Sequence, residues 1–257
     1  TMVSPDGLNW TRYSEQPLCR SGDVITGYYD EQRKKYVAFP KIGEMILGHN
    51  RRVFWLITSE DFKTWTEPKL VIVPDAKDDA SSLARIEEVR PILDVPDDPS
   101  VMRTEFYGIG AYPAESCTLA FIWMFTINNN ARYGNQEGPG ELQLAVSRDL
   151  ENWTYDGAFM PTVSLMPECP DVIELDGKTV VWYSCVEYEG ELTDNTRPVV
   201  YSVGDMEDNS TRFEGSPLAV LDHGTDCYAT QSCAGHDGQQ ISISWMASWN
   251  SKFPTAK

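Results

Sequence analysis

The segment Glu168-Cys169-Pro170-Asp171 sets two carboxylates three positions apart at the start of an apolar run that ends in Asp176-Gly177. Cleaving a glycosidic bond needs a carboxylic acid to protonate the leaving oxygen and a carboxylate to attack or to activate water. The two stand about 5 to 5.5 Å apart for retention and about 6.5 to 9.5 Å for inversion. Glu168 is the residue of choice for the acid. A pocket mouth crowded with carboxylates and aromatic rings raises a carboxyl pKa by like-charge repulsion and desolvation, and keeps it protonated near neutral pH. Asp23 and Glu105 open comparable strands (DVITGYY and EFYGIGAY) and are candidates for the second carboxylate; Asp226 opens DCYATQS. Asp171 and Gln231 suit hydroxyl groups of a ligand, while Tyr228, Trp245 and Trp249 offer flat apolar faces that stack on the C–H face of a sugar ring. Arg20, Arg90 and Arg103 carry paired N–H donors that orient carboxylates. Each type also has an ordinary use: most Trp of an all-β chain pack in the core, and an acidic residue at a strand start is often only hydrogen-bonded at a rim. His49, His223 and His236 sit in turn contexts and are assigned no chemistry.

These residues lie far apart in the chain, so the elements that carry them must converge. Three segments share Ser, one residue, Asp, three residues, Trp: Ser4-Asp6-Trp10, Ser59-Asp61-Trp65 and Ser147-Asp149-Trp153, with a degenerate copy at Ser202 and Asp205. The second and third follow runs rich in β-formers, VFWLITS and LQLAVS; the Asp closes a tight turn and the Trp packs back on the sheet. Repetition at this scale in an all-β chain points to a propeller, because one such unit cannot bury its face alone. Four blade openings and the tail of another blade at residues 1–10 give a five-bladed β-propeller, read as one domain over 1–257 with its first blade incomplete. The innermost strand of every blade lines the channel, so the residues that open these strands meet at one mouth. The acidic, Pro-rich stretch 71–104 reads as loop with a short helix at SLARIEEV, and 128–140 as an exposed loop.

The 257 residues suffice for a large core, and 41% hydrophobic residues with eight Trp and twelve Tyr exclude a disordered chain. A formal charge of -18 argues against a nucleic-acid partner, which needs Lys and Arg for phosphate; a neutral or cationic ligand fits better. No apolar run reaches the roughly 18 to 20 residues of a membrane span, so no membrane partner is expected, and secretion and the cytoplasm both stay open. The opening TMVSPDGLNW reads like mid-strand and turn, implying a segment upstream. Six dispersed cysteines without a C-x-x-C pair, and three histidines, argue against zinc; buried thiols are the simplest reading, with Cys227 to Cys233 the one pairing considered. Sequons begin at Asn9, Asn152 and Asn209, the first two inside the repeat.

The chain resembles the catalytic propeller of glycoside hydrolase family 32, the β-fructosidases, within the wider group that includes family 43. The resemblance rests on ECPD at 168–171, on DCYATQS at 226–232 followed by DGQQISISWMASW, and on CRSGDV at 19–24. It implies a carbohydrate partner, no cofactor, Glu168 as general acid/base, and substrate contacts from Arg20 and Ser21 beside those named above. Two departures stand out. The family's nucleophile motif, N-D-P-N-G, belongs to a strand that would precede residue 1; Asp6 in SPDGLNW matches the turn repeat instead. The family's R-D-P aspartate has no counterpart in the aligned stretch Glu105-Phe106-Tyr107-Gly108, and Asp23 aligns with a family serine. The expected activity is removal of terminal fructosyl units from sucrose or a fructan, with retention. A non-catalytic sugar-binding propeller and a family 43-like enzyme acting on arabinose or xylose units remain as alternatives.

Overall fold

The repeated Ser-x-Asp-x-x-x-Trp segments fold into one and the same turn. The Ser Oγ donates to the Asp Oδ1 at 2.9 Å in Ser4-Asp6 and at 3.1 Å in Ser59-Asp61 and in Ser147-Asp149. That Asp oxygen accepts the backbone N–H groups two and three residues on, at Leu8 and Asn9, Lys63 and Thr64, Glu151 and Asn152. The Trp Nε1 then donates to the carbonyl three residues back, at Gly7, Phe62 and Leu150, and each of these three holds a positive φ of 73°, 62° and 70°. The side chain thus satisfies amides that the turn leaves unpaired. The Asn9 and Asn152 amides are spent on Asp6 and Asp149, which gives these two sequon residues a structural use.

In this computed structural model, residues 1–88, 98–114, 116–129, 138–160, 166–186, 188, 190–206, 212–235 and 238–246 are described. Among them five sheets follow one another along the chain, and the architecture is a five-bladed β-propeller. The first sheet pairs β1 (Met2–Val3) with β2 (Thr11–Arg12). The second is a meander of β3 (Ile25–Asp30), β4 (Lys35–Ile46), β5 (His49–Ser59) and β6 (Lys69–Ile72); the third is β7 (Arg103–Pro113), β8 (Thr118–Ile127), β9 (Gly140–Ser147) and β10 (Thr154–Met160). The fourth runs β11 (Met166–Leu175), β12 (Lys178–Val186), β13 (Val199–Met206) and β14 (Phe213–Gly215), with β15 (Ala219–Val220) also on β13; the fifth pairs β16 (Tyr228–Ala234) with β17 (Gln240–Trp245). All pairings are antiparallel. The Ser-Asp-Trp turn joins β1 to β2, β5 to β6 and β9 to β10, the same junction in three blades. The degenerate copy does not form it: Ser202 Oγ donates to the Ser216 carbonyl and Asp205 pairs with Lys178.

The blades are held face to face by two apolar layers. Val37, Phe39, Phe54 and Leu56 of the second blade pack on Phe106, Ile109, Ile122 and Met124 of the third; Leu142, Leu144 and Phe159 of the third pack on Val181, Tyr183, Cys185 and Val200 of the fourth. The third blade serves both layers because side chains alternate along a strand. Burial of each large side chain contributes about 1.5 to 3 kcal/mol, and the stack as a whole fixes the inner strands relative to one another.

One element departs from the sequence reading. The helix α1 spans Ala76–Glu88, longer and earlier than SLARIEEV, and absorbs the acidic stretch read as loop. Asp75 caps it, accepting from Lys77 N at 2.6 Å, while Asp78 Oδ2 accepts from Asp75 N at 2.7 Å, a reciprocal box; Asp78 and Asp79 in the first turn suit the positive end of the helix. Acidic residues that argue against a strand favour a helix start. The fully buried Arg51 grips Asp79 through both terminal nitrogens at 2.6 and 2.7 Å, docking α1 over the starts of β5 and β7. The loop expected at 128–140 lies largely outside the described residues.

Candidate active site

Glu168 and Tyr228 are presented by matched irregularities. In β11, Glu168 stands opposite Ser184 and Asp171 opposite Trp182, so one extra residue is squeezed in, and Cys169 adopts φ 50°. In β16, Tyr228 stands opposite Trp245 and Gln231 opposite Ile243, with Ala229 at φ 52°. Such a bulge re-aims the side chain beside it, and a non-glycine residue at positive φ costs on the order of 1 kcal/mol, held here by the packed blades. The two inner strands are then stitched together. Tyr228 Oη donates to Glu168 Oε2, Gln231 Nε2 donates to the Cys169 carbonyl at 3.0 Å, and Ser232 N donates to Asp171 Oδ2 at 2.6 Å.

Burial pushes the Glu168 carboxyl above its usual range, against the opposing pull of the Tyr228 hydrogen bond and the Arg197 charge. Burial likewise raises Asp171, against the opposing Ser232 contact, and drives the Cys169 thiol up to about 11, with the charge of Glu168 adding to it. Tyr228 is pushed far up by burial and by Glu168, so it is a fixed donor throughout the physiological range. Glu168 therefore has the environment of a general acid: half-buried, oriented by a neutral phenol, and inclined to keep its proton.

On the other side of the mouth, β7 carries a bulge between Phe106 and Gly108 that sets Tyr107 out of register. Lys41, buried in β4, donates from Nζ to the Tyr107 carbonyl at 3.0 Å, pairs with Asp23 Oδ1 at 2.9 Å, and lies 4.4 Å from the centre of the Tyr107 ring. Arg52 sits 4.6 Å from the same ring and pairs with Glu105 Oε2 at 3.0 Å; Arg103 Nε holds Glu105 Oε1 at 2.7 Å. The Tyr107 phenol is raised by burial first and then by the charges of Glu168, Asp23 and Cys169, so one ring adjoins both halves of the mouth. Partial burial pushes the exposed Asp23 carboxyl up, but the Lys41 ammonium outweighs it and holds the group below the usual carboxylate range.

The residues proposed from sequence separate into groups. Glu168, Asp171, Tyr228 and Gln231 share one seam, and Trp245 meets the Tyr228 ring edge-on at 6.5 Å. Asp23 stands across from them on the Lys41 side. Glu105 has 1% side-chain exposure and is held by two arginines, Arg103 among them. Ser21 donates to the Val24 carbonyl and lines an apolar cavity of about 670 Å³ with Leu18, Tyr29, Phe62 and Trp65, on the side of the second blade facing the N-terminal segment; Arg20 is exposed. Trp249, Arg90 and His236 lie outside the described residues. All six thiols are free, including Cys227 and Cys233. Sequence reasoning missed Lys41, Arg52 and Tyr107. The one available signal was a lysine at the end of the apolar run YVAFPK.

This seam coincides with the family comparison. Residues 122–257, more than half of the chain, match the model of the glycosyl hydrolases family 32 N-terminal domain. The chain belongs to glycosyl hydrolase family 32. Among family 32 relatives, the sucrose-6-phosphate hydrolase of Lactococcus lactis subsp. lactis is 30% identical over 140 residues, 49% of this chain and 28% of the relative. That of Zymomonas mobilis is 26% identical over 145 residues, 52% of this chain and 28% of the relative. The matched segments thus span less than a third of these relatives' length. In structure, the sucrose-6-phosphate hydrolase of Lactobacillus gasseri superposes with a TM-score of 0.67 at 17% identity, covering 99% of this chain and 48% of that one. A Bombyx mori family 32 β-fructofuranosidase gives 0.54 at 22% identity over 85% of this chain and 42% of that one. At these identities the likeness concerns the fold.

Proposed function

We propose that this family 32 propeller, read as one unit over 1–257, removes terminal fructosyl residues from sucrose or a fructan, with Glu168 as general acid/base. The observation that carries the reading is the Glu168 carboxyl, raised by burial and oriented by Tyr228 at the start of an inner strand. The printed names of the relatives, sucrose-6-phosphate hydrolase and β-fructofuranosidase, support the substrate class, as does the Bombyx mori enzyme solved with sucrose. In the proposed reaction Glu168 passes its proton to the glycosidic oxygen while a carboxylate takes the anomeric carbon; the Glu168 carboxylate then deprotonates the water that breaks the fructosyl–enzyme bond. Asp23, whose carboxyl the Lys41 ammonium holds below the usual range, is the candidate for that second role. Asp171, fixed by two backbone N–H groups, and Gln231 line the seam for sugar hydroxyls, with Tyr228 and Trp245 as apolar faces.

Glu105 favours a second reading. Both of its oxygens are engaged by arginines, so the carboxylate at the opening of the third blade is committed to structure, as a sugar-binding propeller without turnover would allow. Sugar release from sucrose, inulin, levan, arabinan and xylan decides between them. Fructose release that disappears in Glu168→Gln supports the hydrolase; pentose release indicates a family 43-like specificity; sugar binding without release supports the binder.

A further inference from the structure

Lys41 is an unusual residue for its position. It interrupts an apolar strand, and the residue as a whole is only 4% exposed. A buried ammonium is costly unless paired, and here its partners come from two other places in the fold: the carbonyl of Tyr107 at the bulge of β7 and the carboxylate of Asp23, just ahead of β3. We infer that Lys41 is a positioning residue: anchored from beneath by the Tyr107 carbonyl, it holds the Asp23 carboxylate in one orientation beside the Tyr107 ring at the mouth. The inference rests on the proposed role of Asp23.

The asymmetry of exposure supports this. The Asp23 side chain is 71% exposed and the Lys41 side chain 5%, so the lysine's charge is turned from solvent onto Asp23 and the Tyr107 carbonyl and ring. An exposed carboxylate aimed by a buried cation is a poor stability device and a good way to keep a reacting group charged and pointed. Among the described residues, the other charged and titratable groups facing the pair are Arg52 of β5, Glu105 and Tyr107 of β7, and Cys169 of β11, with Glu168 beyond them acting on Tyr107 and Cys169. Glu105 is taken by Arg103 and Arg52, which leaves Asp23 as the carboxylate for Lys41. Burial lowers Lys41, opposed by Asp23, and the lysine in turn holds Asp23 down.

The test is a pair of titrations on the whole chain that do not require turnover. The carboxyl carbon signal of Asp23, identified as the one lost in Asp23→Asn, is followed with pH in the parent, in Lys41→Met and in Lys41→Arg. Its midpoint moves to higher pH in Lys41→Met and returns toward the parent value in Lys41→Arg. Because Lys41→Met puts a buried site at risk, the reciprocal shift is read in a surface variant: the Lys41 Nζ signal titrates at lower pH in Asp23→Asn than in the parent. Unmoved midpoints in folded Lys41→Met and in Asp23→Asn overturn the inference. Where the parent releases fructose, the acidic limb of its pH–rate profile moves up in Lys41→Met and is restored by Lys41→Arg, which a loss of packing would not do. A parent that releases no sugar from any substrate sinks the hydrolase reading instead, and the titrations still decide the role of Lys41.

Discussion

The phenol of Tyr228, on the inner strand of the fifth blade, donates its proton to Oε2 of Glu168, on the inner strand of the fourth. The candidate acid is thus oriented by a residue from the neighbouring blade, and the bulges at Cys169 and Ala229 let the two side chains meet. The Tyr228 bond favours the carboxylate and partly offsets the rise that burial causes. Tyr228→Phe therefore raises the Glu168 pKa further. Activity that needs protonated Glu168 falls as pH rises through that pKa, so the basic limb of the kcat profile shifts to higher pH in Tyr228→Phe. A limb that stays in place or moves down contradicts this arrangement.

Glu105 offers a test of structure against chemistry. It is buried between Arg103 and Arg52, and removing one partner of such a cluster leaves charge uncompensated, at a cost of about 3 kcal/mol. Glu105→Ala is expected to lower the denaturant midpoint by a corresponding amount, with any activity loss following the unfolded fraction. Full stability with lost turnover would show that Glu105 reacts.

The repeated turn makes acid sensitivity predictable. Backbone and side-chain hydrogen bonds hold the carboxyls of Asp6, Asp61 and Asp149 below their usual range, Asp6 and Asp149 far below. Groups depressed by folding contribute stability above the unfolded carboxylate pKa of about 4, and lose it as pH falls through the folded value. Asp149→Asn should lower the melting temperature at neutral pH and flatten its fall on acidification below pH 4, measured by calorimetry. An unchanged acid slope would place the dependence elsewhere.

Legibility in the sequence followed the range of the interactions. The Ser-x-Asp-x-x-x-Trp turn closes within seven residues through its own side chains, so three copies are read directly, and the count of five blades comes from the four strand openings and the tail at residues 1–10. Ser202 and Asp205 stand three residues apart instead of two, and Asp205 lies within β13, so the turn does not close there. The helix Ala76–Glu88 was largely hidden because acidic residues signal both loop and helix start, and the Asp75–Asp78 box that decides the matter is a geometric fact. Glu168 stood out through its local segment. Lys41 and Tyr107 did not, since their meeting depends on a bulge in β7 and on the packing of the second blade against the third.

The most direct measurement is reducing-sugar release from sucrose, inulin and levan by the chain and by Glu168→Gln, with sugar binding followed in parallel. Glutamine keeps the shape and removes the transferable proton, and general acid/base catalysis contributes roughly a hundredfold or more. The account predicts fructose release by the parent, a fall of about a hundredfold or greater in Glu168→Gln, and retained binding in the variant. Equal turnover in the two proteins would contradict it.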